Sequence, residues 1–162
     1  MKINVRYLPK ILTRKDKKKQ YKELKKSRNM YKKGIYYTRR KIKSFPNKKS
    51  HHVTNAKKMY RVEKIGATKE LAKATGCSVS SLKKIISKGE GAYFSSGSRP
   101  NQTAQSWGIA RLASAITSGK SAAVDYSILE KGCRPGSKAL RLAKQAKRKH
   151  GHGTRKMPKI DV

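Results

Sequence analysis

Only one stretch of this chain, residues 62–130, has the balance of charge and apolar side chains that a folded core needs. It carries 9 basic and 5 acidic residues, whereas residues 1–61 carry 23 and 2, and residues 131–162 carry 11 and 1. A run of like charge repels itself and holds on to any polyanion it meets. A middle of about 70 residues is near the lower limit for independent stability. The charge pattern therefore divides the chain into a basic N-terminal arm with one long helix (1–61), a compact helical core (62–132), and a basic C-terminal helix and tail (133–162).

Over the whole 162 residues, 43 lysines and arginines stand against 8 acids, a formal charge of +35. Binding partners are accordingly expected to be nucleic acid, an anionic membrane surface or acidic protein faces, with affinity that falls steeply as salt rises. No apolar run approaches the ~18 residues of a membrane span, and no signal-peptide core opens the chain. Cys77 and Cys133 are far apart, do not make a disulfide framework by their spacing, and read as free thiols.

The elements expected are all helical. Thr13 with Asp16 starts a helix that Gly34 stops. Tyr21, Leu24 and Tyr31 form its thin apolar stripe, and the other faces are basic. Residues 35–50 alternate aromatic and basic side chains and read as an extended arm. A short helix is expected over residues 55–62, and a long glycine- and serine-rich loop over 89–101. Thr103 caps a core helix running to Ser118 and holding Trp107, Leu112 and Ile116. A further helix follows from Ser121 to Lys131, and Ser137 opens a basic one running to Lys149. No segment shows strand alternation, so the fold class is all-α.

Residues 68–88 have the layout of a helix-turn-helix. Leu71 and Ala72 face inward, Gly76 takes the left-handed turn, and Ser78 or Ser80 caps the second helix. Leu82 and Ile85 return to the core. The exposed face would offer Ser80, Ser81, Lys83, Lys84 and Lys88. It lacks the Arg, Asn and Gln that read base edges, and suits phosphate or carboxylate contact better.

Other constellations carry less. Gly119-Lys120-Ser121 ends like a phosphate-binding loop, but Ser114 stands where the first glycine belongs. His51, His52, His150 and His152 with the cysteines fit no zinc spacing. Asn101 and Thr103 spell a glycosylation sequon, and Thr103 is better used as a cap. Glu70, Glu90, Asp125 and Glu130 offer no acid–base pair. The expectation is a non-enzyme with no catalytic residue, cofactor, metal or small-molecule substrate.

Two blocks of sequence resemble a family. LTRKDKKKQ at 12–20, KSR at 26–28, YKKG at 31–34, KSF at 43–45 and HV at 52–53 resemble small basic proteins of large double-stranded DNA viruses of algae and amoebae. GAYFSSGSRP at 91–100, SWGIARLA at 106–113 and GKSAAVD at 119–125 resemble a domain of those viruses and, more loosely, one in tailed phages. The resemblance implies a viral origin and transfers no functional residue.

Together these readings lead to a minor structural protein of a virus particle, made in the host cytoplasm or nucleus and lying inside the major capsid shell. Its partners would be major and other minor capsid proteins, with nucleic acid or the inner viral membrane surface as further polyanions. The cations expected to make contact are Lys17, Lys18, Lys19, Arg39, Arg40, Lys41, Lys83, Lys84, Lys88, Lys147, Arg148 and Lys149. The alternative is a DNA-binding protein that packages or regulates the viral genome through the helix-turn-helix.

Overall fold

The chain is described by a computed structural model over residues 1–46, 50–152 and 158–161. Among these the order is β1 (Lys2–Asn4), α1 (Arg14–Lys32), α2 (His51–Tyr60), α3 (Lys69–Thr75), α4 (Val79–Ser95), α5 (Ala104–Ile116), α6 (Lys120–Val124), α7 (Tyr126–Gly132), α8 (Lys138–His150) and β2 (Lys159–Asp161). The all-α class holds. The one addition is a two-stranded antiparallel sheet in which Ile3 faces Ile160.

Contacts divide the chain into two units, and each draws on more than one of the three charge-defined stretches. One holds the described residues of 1–48, 90–107 and 156–162, the other those of 49–89 and 108–155.

In the first unit Thr13 caps α1 by accepting from the Asp16 N–H at 3.2 Å. Ile3, Leu8 and Leu24 form a small core against Tyr7, Tyr21 and Ile160. Gly97, at φ +134°, brings the chain so close to Leu24 and Tyr7 that a Cβ there would sit 2.9 Å from each. Residues 35–46 contain no helix or strand, in keeping with an arm, yet they are tied down. The two acids of residues 1–61 do much of this. Glu23 accepts the Arg40 N–H at 2.9 Å and Asp16 accepts the Ser44 N–H at 2.8 Å. The Asn101 amide also donates to the Ile42 and Phe45 carbonyls, at 3.0 and 2.9 Å. An extended chain with unsatisfied donors thus finds partners within its own unit.

The second unit is built around Leu71, Leu82, Ile85, Leu112, Ile116 and Leu129, with the alanines of α5, α6 and α8 packed among them. Small side chains let the helices approach closely. A Cβ on Gly89 would lie 2.6 Å from the Gly108 Cα, so this glycine sits in a helix crossing. That corrects the loop expected over 89–101, because α4 continues to Ser95. The helix expected from Ser121 to Lys131 is broken at Asp125, whose carboxylate is fully buried on Arg111. Trp107, expected in the core, is only half-buried.

The largest correction concerns the cysteines. Cys77 and Cys133 are bonded as a disulfide across 56 residues, not free. The physical reason is backbone pairing. The Ser78 N–H donates to the Gly132 carbonyl at 2.8 Å and the Arg134 N–H to the Gly76 carbonyl at 2.9 Å. This is the non-hydrogen-bonded site of an antiparallel bridge, where facing side chains come closest.

Candidate polyanion-binding face

The hairpin of α3 and α4 follows the sequence closely. Thr68 accepts the Leu71 N–H at 3.2 Å, Gly76 stands at φ +79°, and Ser78 accepts the Ser81 N–H at 3.2 Å. Leu71, Leu82 and Ile85 are buried. Ser80, Lys83, Lys84, Ser87 and Lys88 are exposed, at the spacing of one helical face. Ser81 does not join them. It is 5% exposed, hydrogen-bonds Ser78 at 2.8 Å and lies against Gly132 of α7.

An open hollow of about 470 Å³ lies along this face, lined by Ser80, Lys83, Lys84, Ser87, Lys88 and Ile128. A smaller one of about 310 Å³ shares Ser80, Lys84 and Ile128 and reaches Ser127 and Lys131. Lysines and hydroxyls around an open hollow can hold phosphate or carboxylate oxygens by charge-assisted hydrogen bonds. Lys88 is partly committed: its ammonium lies 3.6 Å from Asp125 while its side chain stays 54% exposed.

The remaining cations fall into two groups, one in each unit. In the first unit Lys18, Lys19, Arg40 and Lys41 are exposed and Lys17 is half-buried. Lys19 donates to the Lys41 carbonyl at 3.0 Å, which binds those two stretches together. Arg39 is turned inward. It is 8% exposed and donates to Ser27, Ser98 and the Tyr93 carbonyl at 2.7–2.8 Å, so its fork is filled by its own unit. In the second unit Lys147, Arg148 and Lys149 are exposed on the last turns of α8. The Lys147 ammonium stands 4.3 Å from the centre of the Tyr126 ring.

The sequence model of a family of unknown function, DUF5824, matches residues 4–134. The chain belongs to that family. No curated protein and no solved structure matches it. In this DUF5824 member the matched stretch takes in α1 to α7 and ends before α8.

Among the described residues of the DUF5824 chain, no group of three His, Cys, Asp or Glu is placed to hold a metal ion. Among the same described residues no helix is long and apolar enough to cross a membrane. Two features escaped the sequence reading. One is the disulfide, whose signal was available: each cysteine directly follows a glycine, Gly76 or Gly132, where a helix ends. The other is the outer face of α8, where Arg141 and Gln145 are exposed one turn apart.

Proposed function

We propose that this chain is a non-enzymatic structural protein of a large double-stranded DNA virus particle. As a minor capsid protein inside the major shell, it docks through cationic faces onto acidic capsid surfaces, the inner membrane or the genome. One observation carries the reading. Among the described residues the ion pairs are those of Lys88 and Arg111, and both go to a single buried carboxylate, Asp125. Lys18, Lys83, Lys84, Arg148 and Lys149 stand exposed and make no ion pair among the described residues. Charges left uncompensated by the fold are compensated by what the fold binds. The viral setting comes from the resemblance of the two sequence blocks.

The test is charge reversal at exposed sites, Lys83→Glu with Lys84→Glu and Arg148→Glu with Lys149→Glu, followed by recovery of the chain from purified particles. Incorporation should be lost while helix content is unchanged. Normal incorporation of the reversed chain overturns the reading.

A second reading, binding of DNA, is favoured by the stripe of Ser80, Lys83, Lys84 and Ser87 behind the Gly76 turn. In a helix-turn-helix the second helix enters the major groove. Changing Lys83 and Lys84 to Ala should then lower DNA affinity more than capsid association.

A further inference from the structure

The α3–α4 hairpin has a counterpart in its own unit. α7 also ends on a glycine, Gly132, followed by a cysteine, and α8 is also serine-capped, with Arg134, Pro135 and Gly136 between Cys133 and the cap Ser137 where Ser78 follows Cys77 directly. The two turns face each other across the Cys77–Cys133 bridge, and their hydrogen bonds are reciprocal. The packing is reciprocal too. Gly76 lies against Ser137, the cap of α8, where a Cβ would meet the Ser137 Cβ at 2.6 Å; Gly132 lies against Ser78 and Ser81, the first turn of α4. An antiparallel bridge has a local two-fold axis, and across it the first turn of each second helix lies beside the glycine of the other turn.

The second helices differ in chemistry. α8 buries Ala139, Leu140, Ala143 and Ala146. Its outer side presents Arg141, Lys144, Gln145 and Arg148, all exposed. At about 100° per residue these four fall within an arc of about 100°, and Arg141 to Arg148 spans about 10 Å, or three base-pair steps. Residues 131–160 contain no acid. Lys138, near one end of the stripe, donates to the Met59 carbonyl at 3.2 Å, and Lys147, near the other, lies over the Tyr126 ring. The side chains of this stripe make no hydrogen bond or ion pair among the described residues.

We infer that the outer face of α8 binds duplex DNA in the major groove, with Arg141, Gln145 and Arg148 reading base edges and Lys144 on a phosphate. Arginine pairs in bidentate fashion with guanine and glutamine with adenine; these are the residue types α4 lacks. Arg141, Lys144 and Arg148 would also pair with the carboxylates of an acidic protein surface, so it is the uncharged Gln145, which such a surface does not call for, that favours base edges. The inference rests on the nucleic-acid reading and moves the base-reading helix from α4 to α8.

The experiment is selection of bound duplexes from a random pool by the full chain, with affinities measured for the enriched sequence and for polyglutamate. The variants are Gln145→Ala, Arg141→Ala with Arg148→Ala, and Lys83→Ala with Lys84→Ala. Gln145 is exposed and alanine favours helix, so the first variant keeps both fold and charge. The wild type should enrich a motif. Gln145→Ala should lower affinity for it roughly tenfold, relax its preference and leave polyglutamate binding unchanged. Should the wild type bind duplex without enriching a motif, or Gln145→Ala keep the wild-type motif and affinity, the assignment to α8 falls while DNA binding stands. Equal losses on DNA and polyglutamate in the double arginine variant, with Gln145→Ala silent, make α8 an acidic-protein face and overturn it. Absence of duplex binding removes the nucleic-acid reading itself.

Discussion

The guanidinium of Arg39 lies 3.8 Å from the centre of the Tyr93 ring and donates to the carbonyl of that same residue at 2.7 Å. The Tyr93 hydroxyl returns the contact by accepting the Arg39 N–H at 3.0 Å. One cation of a chain rich in them is thus spent on holding residues 35–46 to the segment that begins at Glu90. Burial lowers its pKa from the usual guanidinium value, and both of its terminal nitrogens donate hydrogen bonds. Removing a buried cation that donates three hydrogen bonds costs about 3 kcal/mol or more. Arg39→Ala should therefore lower the urea midpoint clearly. Arg39→Lys should recover little of it, since an ammonium cannot reproduce the fork. A neutral effect of Arg39→Ala on stability would show that the residue faces outward.

Asp125 accepts both Arg111 nitrogens, at 2.8 and 2.7 Å, from a fully buried position between α6 and α7. Asp125→Ala leaves Arg111 without its counter-charge and should cost about 3–5 kcal/mol. Changing Arg111 to Met together with Asp125→Ala should cost less than the two single changes added, because no stranded charge remains. Chemical denaturation of the three variants measures the difference.

Burial raises the Tyr60 phenol above its ordinary value of 10.0, and its hydroxyl donates to the Ile116 carbonyl. The folded state therefore favours the neutral form. That contribution is fully present below about pH 10 and is lost as pH climbs from there toward the higher folded value. Relative to Tyr60→Phe, which cannot ionise, the wild type should lose stability as pH rises past about 10. Urea midpoints of both proteins at about pH 8 and about pH 11 check this; a constant gap between them contradicts it.

The Cys77–Cys133 bond closes a loop of 56 residues. A cross-link of that span is worth about 4 kcal/mol on the chain-entropy view. Cys77→Ser, or reduction, should lower the midpoint by a comparable amount, and Cys77→Ser with Cys133→Ser should add nothing further to either single change. The reciprocal bonds of Ser78 and Arg134 remain, so helix content in the absence of denaturant should not fall.

What was legible in the sequence was local. Thr13, Thr68, Thr103 and Ser137 announce helix starts because a cap bonds an N–H only three residues on. The exposure of Lys83, Lys84 and Lys88 follows from helical spacing against Leu82 and Ile85. What was not legible depends on distant residues. Gly89 breaks no helix because Gly108 fills the space beside it. Asp125 ends α6 because Arg111 lies beneath it. Ser81 turns inward because Gly132 occupies its outer side. Arg39 looked like its neighbours Arg40 and Lys41 until Tyr93 and Ser98, more than 50 residues away, came to meet it. The two acids of the N-terminal stretch are few against 23 cations. They act by hydrogen-bonding the backbone at Arg40 and Ser44, which net charge does not register.

The central claim is that cations left unpaired by the fold are the means of attachment. Its most direct test is the affinity of the whole chain for duplex DNA and, separately, for polyglutamate, measured from about 50 to 200 mM salt. Docking through those cations predicts tight binding to at least one of the two at low salt, with a loss of about 10³-fold or more across the range. Failure to bind either at low salt, or an affinity that does not move with salt, contradicts it.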